Sequence, residues 1–121
     1  MHVGGLDAIV IRVRDWKQSQ QWYECVLGLP LAGRDAETHS AVFDTGGPTR
    51  LRIWQLREGE SLSATSRSGS FPAFLVDDAE AMRRELAARD VQVAPIETAP
   101  DGARHFAIFD PDGNRIELVQ R

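Results

Sequence analysis

Residues 6–28 read LDAIVIRVRDWKQSQQWYECVLG, and this stretch predicts a strand followed directly by a helix. Apolar side chains alternate through residues 6–13, as is typical of a strand with one buried face. Asp15 is placed to cap a helix over 16–27, in which the aromatic and apolar residues recur at helical spacing. Gly28 directly follows this segment and is typical of the end of a helix.

The rest of the chain predicts a second strand–helix pair and several short strands. Residues 71–76 (FPAFLV) form the second strand, and either Asp77 or Asp78 caps a helix that runs to about residue 89. Turns are expected at 46–48 (GGP) and at 110–114 (DPDGN). The remaining predicted strands are 29–32, 39–43, 50–56, 91–95, 104–109 and 116–120.

These elements repeat. Each half reads strand, acidic cap, helix and three short strands, and Ala8 and Phe71 occupy matching places 63 positions apart. We therefore predict an α+β fold of two tandem βαβββ units over about residues 5–57 and 69–121, joined by a linker over about 58–68. One helix should cover one face of each sheet, which leaves the other face to form a concavity or to pack against a partner.

Composition excludes several classes of protein. The 121 residues suit one domain, with 42% hydrophobic and 26% charged residues. Fourteen basic against 18 acidic residues give a net charge of −4, so neither nucleic-acid nor membrane-surface binding is expected. No apolar run is long enough for a membrane helix. The single Cys25, expected to be a small buried residue of the first helix, rules out an internal disulfide and favours the cytoplasm.

Two segments carry a family resemblance: IRVRDWKQSQQWYECVLGLPL at 11–31 and DPDGNRIELVQ at 110–120. With the repeat between them, they make nearly the whole chain similar to the vicinal oxygen chelate superfamily of glyoxalase I, bleomycin-resistance proteins and extradiol dioxygenases. The resemblance implies that paired units curl into a cup-shaped mixed sheet with the helices outside, usually within a homodimer. It also implies a metal site inside the cup.

The resemblance places the four metal ligands at Ala8, Arg52, Phe71 and Glu117, and only Glu117 keeps a ligand side chain. Two of these positions are apolar and one is cationic, so we expect no bound metal and no other cofactor. In place of the ion, the Arg52 guanidinium is expected to pair with Glu117, directly or through one water. The alternative is that Arg52 turns outward to solvent and Glu117 is hydrated.

Strand alternation predicts the residues that line the cup. These are mostly apolar or aromatic, with a few charges, which suits a small organic ligand. Alternative roles remain open for four of them: Trp54 and Phe71 could pack across a dimer interface, Arg12 could be an exposed rim charge, and His105 could be a structural residue of a half-buried strand. The inward face of the strand that carries His105 is also undecided, because both of its faces are apolar. The candidate ligand-binding residues are Arg12, Arg52, Trp54, Phe71, His105 and Glu117.

Three functions compete at this stage. The first is a metal-free protein that sequesters an aromatic or amphipathic compound, with no catalytic residue. The second is a metal-dependent or acid/base lyase, isomerase or dioxygenase, in which Glu117 recruits an ion or acts with His105 as acid and base. The third is a non-catalytic subunit of a larger complex. A homodimer is expected, because two sheet faces and their edges would otherwise be exposed.

Overall fold

The computed structural model describes residues 2–62 and 69–121, and the chain divides into two compact units, Met1–Leu62 and Ser63–Arg121. They are named unit 1 and unit 2. The predicted linker at 58–68 falls largely on residues 63–68, which lie outside the described residues. Within the described ranges, neither helix has the length and apolarity needed to cross a membrane.

Unit 1 contains one helix and a four-stranded mixed sheet. The sheet order is β1-β4-β3-β2, with β1 parallel to β4 and the other neighbouring strands antiparallel. The helix packs against β3 and β4. The elements are β1 (Ala8–Val13), α1 (Trp16–Cys25), β2 (Leu31–Asp35), β3 (Ser40–Phe43) and β4 (Arg50–Gln55).

Unit 2 repeats this topology. Its sheet order is β5-β8-β7-β6, again with one parallel pair, β5 with β8, and α2 packs against β7 and β8. The elements are β5 (Ala73–Leu75), α2 (Ala79–Ala88), β6 (Glu97–Thr98), β7 (Arg104–Phe109) and β8 (Arg115–Gln120). Two tandem βαβββ units in an α+β fold are confirmed.

The two helices begin in the same way. Asp15 and Asp78 are the N-caps, and each accepts hydrogen bonds from backbone N–H groups of its first turn. A glutamine at the end of the last strand then binds the first helical N–H: Gln55 Oε1 accepts from Trp16, and Gln120 Oε1 accepts from Ala79, at 3.1 and 2.7 Å. These acceptors join each helix to its own sheet.

The core lies between each helix and its sheet, where the predicted alternation places the large apolar side chains. Each such side chain contributes about 1.5–3 kcal/mol through burial. The helix of each unit covers one face of its sheet and leaves the opposite face uncovered by that helix. The buried residues include Val13, Tyr23, Phe43, Leu51 and Ile53 in unit 1 and Leu86, Phe106, Ile108, Ile116 and Leu118 in unit 2.

Three local predictions are wrong. Residues 91–95 form only an isolated bridge, Val93 with Ile108, because Pro95 has no N–H to continue a ladder; the strand lies two residues later, at Glu97–Thr98. The first helix ends at Cys25 rather than 27. Cys25 is exposed rather than buried, because the buried positions of that helix are Trp16, Ser19 and Tyr23.

Candidate functional site

The strand register shows which positions of the two units correspond. Val10 lies opposite Arg52 in unit 1, and Ala73 lies opposite Glu117 in unit 2. Val10 and Ala73 are 63 positions apart, the same spacing that separates the two helix caps. Arg52 and Glu117 are therefore equivalent, and each points to the sheet face that its helix does not cover.

Glu117 has a buried carboxylate with two partners from its own unit. Its side chain is only 8% exposed. Nδ1 of His105 lies 2.9 Å from Oε1, and Nη2 of Arg115 donates to Oε2 at 2.9 Å. His105 and Glu117 share a face because β7 and β8 pair Ala107 with Glu117 and His105 with Val119. The undecided face of the His105 strand is thereby settled within unit 2.

The contact with Glu117 fixes how His105 presents its ring. An ionised carboxylate only accepts hydrogen bonds, so Nδ1 must carry the hydrogen. In the neutral ring, Nε2 is then the acceptor and the basic nitrogen. The His105 side chain is 26% exposed, so this ring is accessible in part. The pair can orient a polar ligand or move a proton.

Arg115 connects the carboxylate to an aromatic ring. Its guanidinium carbon lies 4.7 Å from the centre of the Phe71 ring, within the range of a cation–π contact. Its Nε is buried and has no hydrogen-bond partner in the described part of the chain. An unmatched buried donor costs about 1–3 kcal/mol, whereas the side chain as a whole is 31% exposed and can meet an acceptor through the rest of its guanidinium.

Apolar side chains adjoin this cluster. Phe71, two residues before β5, is 40% exposed, and Leu75 on β5 is 76% exposed. The two carry an aromatic and an aliphatic surface beside the polar groups. The surface formed by Phe71, Leu75, His105, Arg115 and Glu117 is named the Glu117 face.

Unit 1 has no equivalent cluster. The Arg52 side chain is exposed and forms no hydrogen bond or ion pair with any residue of 2–62 or 69–121. The position equivalent to His105 is Ser40, which pairs with Trp54 as His105 pairs with Val119. The predicted pair between Arg52 and Glu117 would join the two units, and it stays a prediction.

Arg12, also predicted to bind ligand, is held by unit 1 itself. Its guanidinium donates to the backbone oxygens of Trp54 and Gln55 at 3.2 and 3.1 Å and to Oε1 of Glu60 at 2.8 Å. It also lies 4.9 Å from the centre of the Trp54 ring. The backbone N–H of Arg57, together with Arg12, holds the pKa of Glu60 below its ordinary value.

Trp54 borders a groove of about 440 Å³ at the end of β4. His39 and Arg57 share this lining, and the Arg57 guanidinium lies 5.2 Å from the centre of the Trp54 ring. His39 has a left-handed backbone, with φ 55°, directly before β3. Five of the six predicted residues therefore fall into two groups: Arg12 with Trp54 in unit 1, and Phe71, His105 and Glu117 in unit 2. The sixth, Arg52, has no side-chain hydrogen bond to either group among the described residues.

The residues at the metal positions of the resemblance do not fit a metal ion. Ala8 and Phe71 carry no donor atom, Arg52 is a cation, and both oxygens of Glu117 are bound by His105 and Arg115. Within residues 2–62 and 69–121, no group of three or more His, Cys, Asp or Glu side chains is arranged to hold an ion. Catalytic metal sites supply about three protein ligands.

Sequence reasoning missed Arg115 as a site residue. Strand alternation placed it on the same face as Glu117, two residues away, but a charged residue next to a hairpin turn resembles ordinary surface. The usable signal was the pattern Arg-x-Glu on one strand face, since residues two apart in a strand are neighbours on that face.

Comparisons with known proteins agree with this architecture. Residues 5–118 match the family described as the Glyoxalase/Bleomycin resistance protein/Dioxygenase superfamily. The uncharacterized protein YwbC of Bacillus subtilis (strain 168) is 34% identical over 124 residues, which cover 96% of this chain and 97% of that protein.

Solved structures share the fold at lower identity. A putative glyoxalase family protein from Bacillus anthracis has a TM-score of 0.80 at 21% identity and covers 100% of this chain and 98% of its own. The fosfomycin resistance protein FosX from Listeria monocytogenes has a TM-score of 0.77 at 15% identity, covering 99% of this chain and 95% of its own. The repeated units, the strand register and these matches together show that the chain belongs to the glyoxalase/bleomycin resistance protein/dioxygenase superfamily.

Proposed function

We propose that this chain binds a small aromatic or amphipathic molecule on the Glu117 face without using a metal ion. The observation that carries the proposal is the occupied carboxylate, whose two oxygens are bound by His105 and Arg115. The protein itself provides the positive charge that an ion would bring. An exposed ring, an aliphatic side chain and a few directed polar groups on one surface suit such a ligand.

The Arg115 side chain is 31% exposed, and its guanidinium adds a preference for an acceptor on the ligand. A carboxylate is the natural choice, because a guanidinium can bind it through two parallel hydrogen bonds. Phe71, which already contacts Arg115, is placed to stack on the aromatic part of the same molecule. The proposal therefore favours aromatic carboxylates over neutral aromatic compounds.

Titration calorimetry with phenylacetate tests this proposal on chelator-treated protein. We expect saturable binding, weakened at least fivefold by Phe71→Ala and by His105→Gln and unchanged by added Zn²⁺. His39→Gln is the matched control, since it changes a histidine of unit 1 outside the face. Binding that appears only after Zn²⁺ or Ni²⁺ is added would contradict metal-free recognition, and an equal loss in the His39 variant would contradict the location.

A second candidate function is proton transfer, which the 2.9 Å contact between His105 and Glu117 favours. Glu117 orients the ring and leaves Nε2 to accept a proton from carbon, and Arg115 stabilises the oxygen that gains negative charge. The probe is phenylpyruvate, whose keto–enol conversion moves one proton between carbon and oxygen and is followed by ultraviolet absorbance. We expect acceleration that His105→Gln removes and His39→Gln retains; no acceleration over buffer would reject this activity.

We also propose a two-fold homodimer located in the cytoplasm. Val10 and Leu75 lie on the edge strands β1 and β5 and are exposed despite their apolar side chains. Exposed apolar edge strands favour association with another copy. Light scattering should give twice the chain mass at micromolar concentration, and a monomeric mass would reject the dimer.

A further inference from the structure

A groove on unit 2 concentrates positive charge away from the Glu117 face. It has a volume of about 550 Å³ and lies between α2, the segment before β6 and the first residue of β7. Its lining places three guanidinium groups against one carboxylate in a chain whose net charge is −4. We name it the arginine groove, and its residues are Glu80, Arg83, Arg84, Pro95, Ile96 and Arg104.

Helix and strand geometry bring these charges together. Glu80, Arg83 and Arg84 are three and four residues apart on α2, so they share one face of the helix. Arg104 precedes His105 on β7, and successive strand residues point to opposite faces. Arg104 therefore lies on the helix side of the sheet, while His105 lies on the Glu117 face. The two surfaces are distinct sites.

Two of the three arginines are positioned by hydrogen bonds. Nε of Arg83 donates to the backbone oxygen of Ala94 at 2.8 Å, which leaves both terminal nitrogens of its guanidinium available. Nη2 of Arg104 donates to Oε1 of Glu80 at 2.8 Å. The Arg84 side chain has no hydrogen bond or ion pair with any other residue that the structure describes. A ligand would therefore meet donors that are partly preorganised and one arginine that is uncommitted.

We propose that the arginine groove binds the phosphate group of a small phosphorylated organic molecule. Three guanidinium groups and the Glu80 carboxylate leave two positive charges in excess, which matches the charge of about −1.5 to −2 on a phosphate monoester at neutral pH. Arginine binds phosphate oxygens through paired N–H groups. Pro95 and Ile96 provide an apolar wall for the organic part of the ligand.

The test is a titration of isotopically labelled protein followed by NMR at constant ionic strength, with inorganic phosphate and phenyl phosphate as probes. We expect saturable shifts of the backbone amides of 94, 96 and 104, with phenyl phosphate binding at least threefold more tightly. Arg84→Gln should weaken binding at least fivefold. Arg89→Gln is the charge-matched control, since it removes one positive charge at the end of the same helix outside the groove.

Each contrary result rejects a defined part of the proposal. Shifts that grow linearly without saturation, or an Arg89 variant that loses as much affinity as the Arg84 variant, would mean nonspecific attraction rather than a site. Equal affinities for inorganic phosphate and phenyl phosphate would contradict recognition of the organic group of the ligand. An Ile96→Ala variant that keeps the preference for phenyl phosphate would contradict it as well. Benzoate binding as tightly as phenyl phosphate would reject recognition of a doubly charged anion.

Discussion

Units 1 and 2 share one backbone plan and differ most at a single equivalent position. The Arg52 side chain in unit 1 is exposed and has no hydrogen-bond partner among the described residues, whereas the Glu117 side chain in unit 2 is buried and bound by His105 and Arg115. Equivalent positions of the two sheets thus hold an exposed cation in unit 1 and a buried anion in unit 2. The comparison teaches that the side chains at this position and around it, rather than the backbone, determine whether the charge there is exposed or buried and paired.

The largest expected difference between the halves comes from removing the charge at this position. We expect Glu117→Gln to lower the free energy of unfolding by about 2 kcal/mol, because it leaves Arg115 without its counter-charge. Removing one member of a fully buried ion pair costs about 3–5 kcal/mol. The expected loss is smaller here because His105 and Arg115 are partly exposed. Arg52→Gln should change it by less than about 0.5 kcal/mol.

Denaturant unfolding at pH 7 measures both variants, with the denaturant slope checked for each. Equal losses would mean that burial and pairing do not separate the two units. A loss confined to the Arg52 variant would contradict the prediction, because it would show that Arg52, and not Glu117, contributes to stability at this position.

The helix caps give a smaller difference. Asp15 accepts from the backbone N–H groups of Lys17 and Gln18, whereas Asp78 accepts only from Ala81 in the described structure. We expect Asp78→Ala to cost about 1 kcal/mol and Asp15→Ala about 1.5 kcal/mol, within the range for lost caps. Thermal and denaturant unfolding check the order. A larger loss at Asp78 would show that the number of accepted bonds does not set the contribution of a cap.

The smallest effect is on the dependence of stability on pH. The backbone N–H of Ala103 and then Arg121 lower the pKa of Asp101 in unit 2, as Arg57 and Arg12 lower that of Glu60 in unit 1. Because both folded pKa values are depressed, the unfolded chain binds more protons as the pH falls. The stabilisation is present above about pH 4, near the unfolded values, and is lost as the pH falls through the folded values.

Unfolding free energies measured from pH 6 to pH 3 check this prediction. Asp101→Asn and Glu60→Gln should each flatten the acid limb slightly, since both carboxylates are exposed. Glu85→Gln serves as the control, because it removes a different exposed carboxylate, which lies on α2. Variants with a steeper acid limb than the parent chain would show that the sign is wrong.

Sequence patterns were sufficient for the parts of the fold that depend on short-range rules. Asp15 as a cap, the strand–helix order and the buried faces followed from periodicity and capping chemistry, and the 63-residue spacing identified the repeat. The strand at 91–95 was wrong because a valine-rich run outweighed the effect of Pro95. Strand propensity says nothing about which neighbour supplies a ladder.

The candidate site was less accessible to sequence reasoning. The segment RHFAIF at 104–109 is apolar on both faces, so alternation could not assign the side of His105; only the pairing with β8 does so. Distances between side chains on neighbouring strands depend on the strand register, which a single sequence does not reveal. Arg115 needed no register, because it lies two residues from Glu117 on the same strand face; it was overlooked because a charged residue next to a hairpin turn resembles ordinary surface.

The strand-end glutamines carry a consequence for ancestry. If the two halves descend from one duplicated segment, divergence has exchanged Arg52 against Glu117 and Ser40 against His105, yet Gln55 and Gln120 still make the same bond to the first amide of their helices. That amide has no acceptor within its own helix, so losing the glutamine would weaken the folding of either half. The side chains on the sheet faces that the helices leave uncovered therefore differ between the halves, while this bond between sheet and helix is the same in both.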